Sequence, residues 1–84
     1  MKTHTNKILS FTVLYKKDPE AGYVAFIPSL PGCHTQGETI EETQKNVREA
    51  IEVYLESLKN HEEEIPQESA ILQEMVHVSY PSSV

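Results

Sequence analysis

Cys33 and His34 are the adjacent residues whose types could carry nucleophilic or metal chemistry. A thiol needs a base or cation on its own side to become a thiolate nucleophile, and an ion needs several ligands converging on one point. Their spacing meets neither condition. The pair sits in a short strand-like run, so the two side chains leave on opposite faces. The remaining histidines, His4, His61 and His77, stand at no ligand spacing. Cys33 is therefore read as a small core residue and His34 as a surface one. The paired carboxylates Glu41 and Glu42 open an exposed helix, where solvent leaves them without the shifted acidities of general acid–base work. Three Gly in the whole chain provide no phosphate-binding loop, and Pro28–Gly32 reads as a structural turn. No catalytic, cofactor-binding or metal-binding residue is assigned, so the chain is read as a non-enzyme.

These residues lie in one block, Gly22 to Leu58, around which the chain is organised. Gly22 to Ile27 is a short apolar strand ending at Pro28. Pro31 and Gly32 force a turn, because Pro fixes φ and Gly supplies φ > 0. Cys33 to Gly37 is a second strand, and Thr39-Ile40-Glu41-Glu42 fits the capping box, with the Thr39 hydroxyl and Glu42 carboxylate satisfying orphaned amides. The spacing then predicts a helix over Ile40 to Asn60. Ile40, Val47, Ala50, Ile51, Tyr54, Leu55 and Leu58 form its apolar stripe, with Thr43 filling the gap. Glu41, Lys45, Glu49, Glu52, Glu56 and Lys59 line the opposite side.

Outside the block the pattern supplies two further strands. Ile8 to Tyr15 alternates, placing Leu9, Phe11, Val13 and Tyr15 on one face. Asp18-Pro19-Glu20-Ala21-Gly22 is turn chemistry and joins this strand to the next as an antiparallel hairpin. Ile65-Pro66 stops the helix, and Gln67 to Gln73 is a polar connection that tucks Ile71 and Leu72 under the sheet. Met75 to Tyr80 alternates again and reads as the last strand. The result is a single α+β domain over 1–84, with its core at about 8–80 and tails at 1–7 and 81–84. Its order is strand-strand-strand-helix-strand, in two layers with the helix on one face.

The Gly22–Ile27 strand is apolar on both sides: Tyr23, Ala25 and Ile27 on one, Val24 and Phe26 on the other. One helix covers only one face of a small sheet. Val24 and Phe26 are therefore the candidate oligomer interface, since bare apolar patches usually mark contacts. With 84 residues the core is thin, which makes a dimer or tetramer a natural supplement. The net charge of −6 is uneven. Residues 1–17 carry four Lys and no acid, whereas Glu38 to Glu74 holds eleven Glu against Lys45, Arg48 and Lys59. Such an acidic half repels nucleic acid, whose binding rests on Lys and Arg displacing counterions, and steers a basic partner in. Glu41, Glu49, Glu52 and Glu56 are the candidate partner-facing surface. The lone Cys33, with no membrane-length apolar run and no signal-peptide pattern, gives a cytoplasmic expectation.

Several of these residues carry a resemblance. Gly22-Tyr23-Val24-Ala25-Phe26-Ile27-Pro28, then Leu30-Pro31-Gly32-Cys33, then Gln36-Gly37-Glu38-Thr39 with Glu41-Glu42, resemble the HicB antitoxin family over about residues 8–80. Gly22, Pro28, Pro31, Gly32, Cys33, Gly37, Thr39 and Glu42 are the structural motif. The resemblance implies a partial ribonuclease-H-like fold without the ribonuclease carboxylates, self-association, and blocking of HicA, a small basic mRNA-cleaving toxin. Many members add a C-terminal DNA-binding segment; only four residues follow Tyr80, so promoter binding is not expected here. The leading expectation is thus an antitoxin-type protein-binding domain. The alternative is a solitary oligomeric scaffold or regulatory domain with no toxin partner.

Overall fold

The computed structural model describes residues 7–68 and 70–83. The expected N-terminal tail, apart from Lys7, lies outside the described residues, as does His4. Three antiparallel strands in the order β1-β2-β3 form one sheet: β1 (Leu14–Asp18), β2 (Gly22–Phe26) and β3 (His34–Gly37). Among the described residues there is one helix, α1 (Ile40–Asn60), which packs on one face. The α+β class and the helix bounds agree with the sequence reading.

The hairpin is set by its turn. The Asp18 carboxylate accepts the Glu20 and Ala21 amides at 2.8 and 3.2 Å, and Gly22 takes φ +80°. That turn pairs Asp18 with Gly22 and fixes every later rung, through Tyr15 with Ala25 to Leu14 with Phe26. The first strand therefore lies at Leu14–Asp18 rather than at Ile8 to Tyr15. Beyond Leu14 the partner strand runs out at Pro28, which has no amide to donate. A Cβ at Gly22 would also collide with the Gly37 carbonyl and with Glu38.

Between β2 and β3 the chain closes a compact loop. The Leu30 amide donates to the Ile27 carbonyl, Cys33 to Leu30, and Ile27 to Cys33, at 2.9 to 3.1 Å. Gly32 turns it with φ +80° and open space where a Cβ would stand. Leu30 is fully buried and plugs the core of Ala25, Ile27, Cys33 and Val47. The helix clasps this loop, since the Tyr54 hydroxyl donates to the Pro31 carbonyl at 2.9 Å.

At its start α1 forms half of the expected capping box. The Thr39 hydroxyl accepts the Glu42 amide at 3.0 Å, but a return bond from the Glu42 carboxylate to the Thr39 amide is not formed. Thr43 fills the stripe as expected. It is fully buried, and its hydroxyl donates to the Thr39 carbonyl at 2.7 Å. The helix ends in a Schellman motif. The Glu63 amide reaches the Leu58 carbonyl and the Glu62 amide reaches Lys59, with Glu62 left-handed at φ 56°.

Among the described residues the expected last strand, Met75 to Tyr80, is not formed. Residues 70–83 form no ladder and are exposed throughout. Ile71 and Leu72 are not under the sheet either, and Leu72 is 94% exposed. The segment is an arm, and it stretches the molecule to 74 × 27 × 20 Å. Alternation supplied a strand pattern, but a strand forms only where another edge accepts its amides.

Two stability differences follow. Gly22→Ala, which meets backbone atoms, should cost about 3 kcal/mol or more, whereas Gly32→Val, strained only through φ, should cost about 1–2 kcal/mol. Denaturant titration separates them, and equal losses would contradict the turn geometry. Glu62→Gly should stabilise by about 0.5–1 kcal/mol by relieving the left-handed residue.

Candidate protein-interaction surfaces

Cys33 and His34 are held apart by the loop and strand that carry them. Cys33 is buried in the core, where burial pushes its thiol pKa up and leaves the sulfur protonated. His34 lies on the outer face of the sheet, its ring 6.4 Å from that of Phe26. Among the described residues no group of three His, Cys, Asp or Glu is placed to hold a metal ion.

The outer face carries Val24 and Phe26. Cross-strand pairing flanks Val24 with Lys16 and Gln36, and Phe26 with Leu14 and His34. The apolar part of this face is thus concentrated at the Leu14–Phe26 end, where Phe26 is 47% exposed. The helix face of the sheet buries Ala25 and Ile27, in keeping with the alternation read from the sequence.

Pro28 and Pro31 are exposed corners of the loop, while Gly37 is buried where β3 meets the helix. Thr39 and Glu42 form the helix start described above. At 3.6 residues per turn, Glu41, Glu49, Glu52 and Glu56 fall within an arc of about 80° on α1, away from the sheet. All four are exposed, and Lys45 and Lys59 share the arc. Val53 borders it at 66% exposure.

Two grooves flank α1 because the helix sits over β2 and β3 and leaves β1 uncovered. On the β3 side a groove of about 520 Å³ is lined by Cys33, Ala50, Val53 and Tyr54 together with His34, Asn46 and Ser57. The Asn46 side-chain amide donates to the Gln36 carbonyl there at 2.8 Å. On the β1 side a groove of about 770 Å³ has apolar walls: Leu9, Phe11, Val13 and Tyr15 face Val47, Ile51 and Leu55. Its rim holds Lys7, Lys45 and Arg48 against Glu52. The shared face of Leu9 to Tyr15 was legible as alternation; that it lacks a cover was not.

Glu68 was also missed. One carboxylate oxygen accepts the Thr12 amide at 2.8 Å, and the other accepts the Ser29 hydroxyl. These bonds, Ser29 first and then Thr12, hold its pKa below the ordinary glutamate range. A polar stretch after a helix gives no pattern that reveals such a tie.

Sheet, loop and capped helix define a small α+β domain with exposed faces on both layers. This chain belongs to the HicB-like antitoxins: residues 11–84 match the family described as HicB_like antitoxin of bacterial toxin-antitoxin system. It is 48% identical over 62 residues to a UPF0150 protein of Thermoplasma acidophilum, covering 74% of this chain and 90% of that one. It is 44% identical over 72 residues to a UPF0150 protein of Synechocystis, covering 86% and 91%. A UPF0150 protein of Archaeoglobus fulgidus is 47% identical over 55 residues, covering 66% and 80%.

A depressed folded-state pKa contributes stability above the unfolded value and loses it as pH falls through the folded value. The Thr12 amide resonance should therefore titrate with a midpoint below the ordinary glutamate value, and the transition should vanish in Glu68→Gln. A midpoint at or above the ordinary value would show the tie is absent in solution.

Proposed function

We propose that this protein is an antitoxin domain that neutralises a small basic, HicA-like mRNA-cleaving toxin in the cytoplasm by covering its RNA-binding or catalytic surface. The family match over residues 11–84 is the observation that carries the reading. The exposed row Glu41, Glu49, Glu52 and Glu56 supplies the physics. A toxin that grips RNA needs Lys and Arg aimed at phosphates, and a row of carboxylates on a rigid helix offers those cations an alternative anion. Opposite charge also speeds the encounter, before any short-range fit is tested. The role asks for no chemistry from the domain itself. The second element of the reading is self-association through Val24 and Phe26 on the outer face, which leaves the acidic side of α1 open to the toxin.

Co-expression with the small basic open reading frame next to this gene should give a co-purifying complex and relieve toxicity. Glu49→Lys, Glu52→Lys and Glu56→Lys together should slow association at least about tenfold at low salt, with the difference shrinking as salt rises. No complex and no relief would remove the toxin reading in favour of a solitary oligomeric scaffold. Phe26→Glu should lower the assembly size in sedimentation while the helical circular dichroism is retained. An unchanged sedimentation profile would exclude the outer face as an interface.

A further inference from the structure

We infer that residues 74–80 are an exchange strand: they pair with the open edge of β1 in a second copy of this chain and roof that copy's β1-side groove. The inference rests on four observations and does not depend on the toxin reading.

The arm is a strand in pattern without a sheet. Val76, Val78 and Tyr80 share one side and Met75, His77 and Ser79 the other, yet Met75, Val78 and Tyr80 are each more than 80% or about 80% exposed. Every backbone amide along it lacks a ladder partner. An alternating apolar segment held off the body is complementary to an edge elsewhere.

The edge of β1 is such an acceptor. β1 is an outer strand, bonded to β2 on one side only. A strand added there continues the sheet past the helix and turns alternate side chains into the groove between Leu9, Phe11, Val13, Tyr15 and the helix residues Val47, Ile51, Leu55. Val76, Val78 and Tyr80 have the two-residue spacing this requires. The β3 edge is also bonded on one side only, and its groove mixes Ala50, Val53 and Tyr54 with His34, Asn46 and Ser57.

Charge favours the same site. The groove rim carries Lys7, Lys45 and Arg48 against Glu52, and β1 itself carries Lys16 and Lys17. The arm brings Glu74 and no Lys or Arg.

The point of departure selects a second copy rather than the arm's own body. Glu68 anchors the start of the arm to Thr12 and Ser29, beside β1's end, and from there the arm runs outward. At about 3.3 Å per extended residue, residues 70–80 reach some 35 Å, enough to cross to a neighbour placed edge to edge. Two copies related by a two-fold axis beside their β1 strands exchange arms reciprocally, each groove being incomplete without the other chain.

The test uses the full chain with the exposed Tyr80 replaced by the photo-cross-linker benzoylphenylalanine, prepared in light and heavy nitrogen and refolded as a mixture. Irradiation should join the arm to peptides from Leu9–Tyr15 or Ile51–Leu55, with light–heavy pairs near half of the product. Cross-links confined to one isotope would show the arm folding onto its own groove, and cross-links elsewhere would show that β1 is not its acceptor. Either overturns the proposal. Val76→Asp with Val78→Asp, both at exposed positions, should abolish the mixed cross-link and reduce the assembly size while the helical circular dichroism persists. Retention of the mixed cross-link in that variant would equally overturn it.

Discussion

A helix is about 10 Å across and strands lie about 4.8 Å apart, so one helix shelters roughly two strands. That ratio governs this domain. α1 covers β2 and β3, and the buried core of Ala25, Ile27, Leu30, Cys33 and Val47 lies under it. β1 falls outside the shelter, and the residues before it, Leu9 to Val13, line a trough instead of a core. Most of what is unusual here, from the open trough to the unsheltered arm, follows from one helix being asked to roof three strands.

Within the sheltered part, each residue type does a single local task. Gly22 clears the backbone at the corner where β2 passes Gly37 and Glu38. Thr43 enters an apolar stripe without penalty because its hydroxyl returns to the Thr39 carbonyl, and no buried side-chain nitrogen or oxygen among the described residues lacks a partner. Tyr54 offers its ring to the core and its hydroxyl to the Pro31 carbonyl, so the loop is tied to the fourth turn of the helix. The same loop carries Cys33 inward and leaves His34 outside, which turns a chemically suggestive dipeptide into a boundary between core and surface.

How much of this was legible depended on whether the signal was local. The helix was readable to both ends because period, cap and stop are all carried by contiguous residues, Thr39 to Pro66. The hairpin turn was readable for the same reason. The position of β1 was not, since Lys16, Lys17 and Asp18 are poor strand formers and are paired only because the Asp18 turn sets their register against β2. Nor could alternation in Met75 to Tyr80 say which edge, or which molecule, would accept those amides. On the surface, the four helical glutamates were correctly placed on one exposed arc, while Glu68, whose role is a long-range tie across 56 residues, left no trace in the spacing.

That tie has a topological consequence. By gripping Thr12 with one oxygen and Ser29 with the other, Glu68 brings the two flanks of the domain to the same corner. The folded body is in effect a closed loop of chain with a single port. The chain before residue 12 and the chain after residue 68 therefore leave the folded body at the same corner.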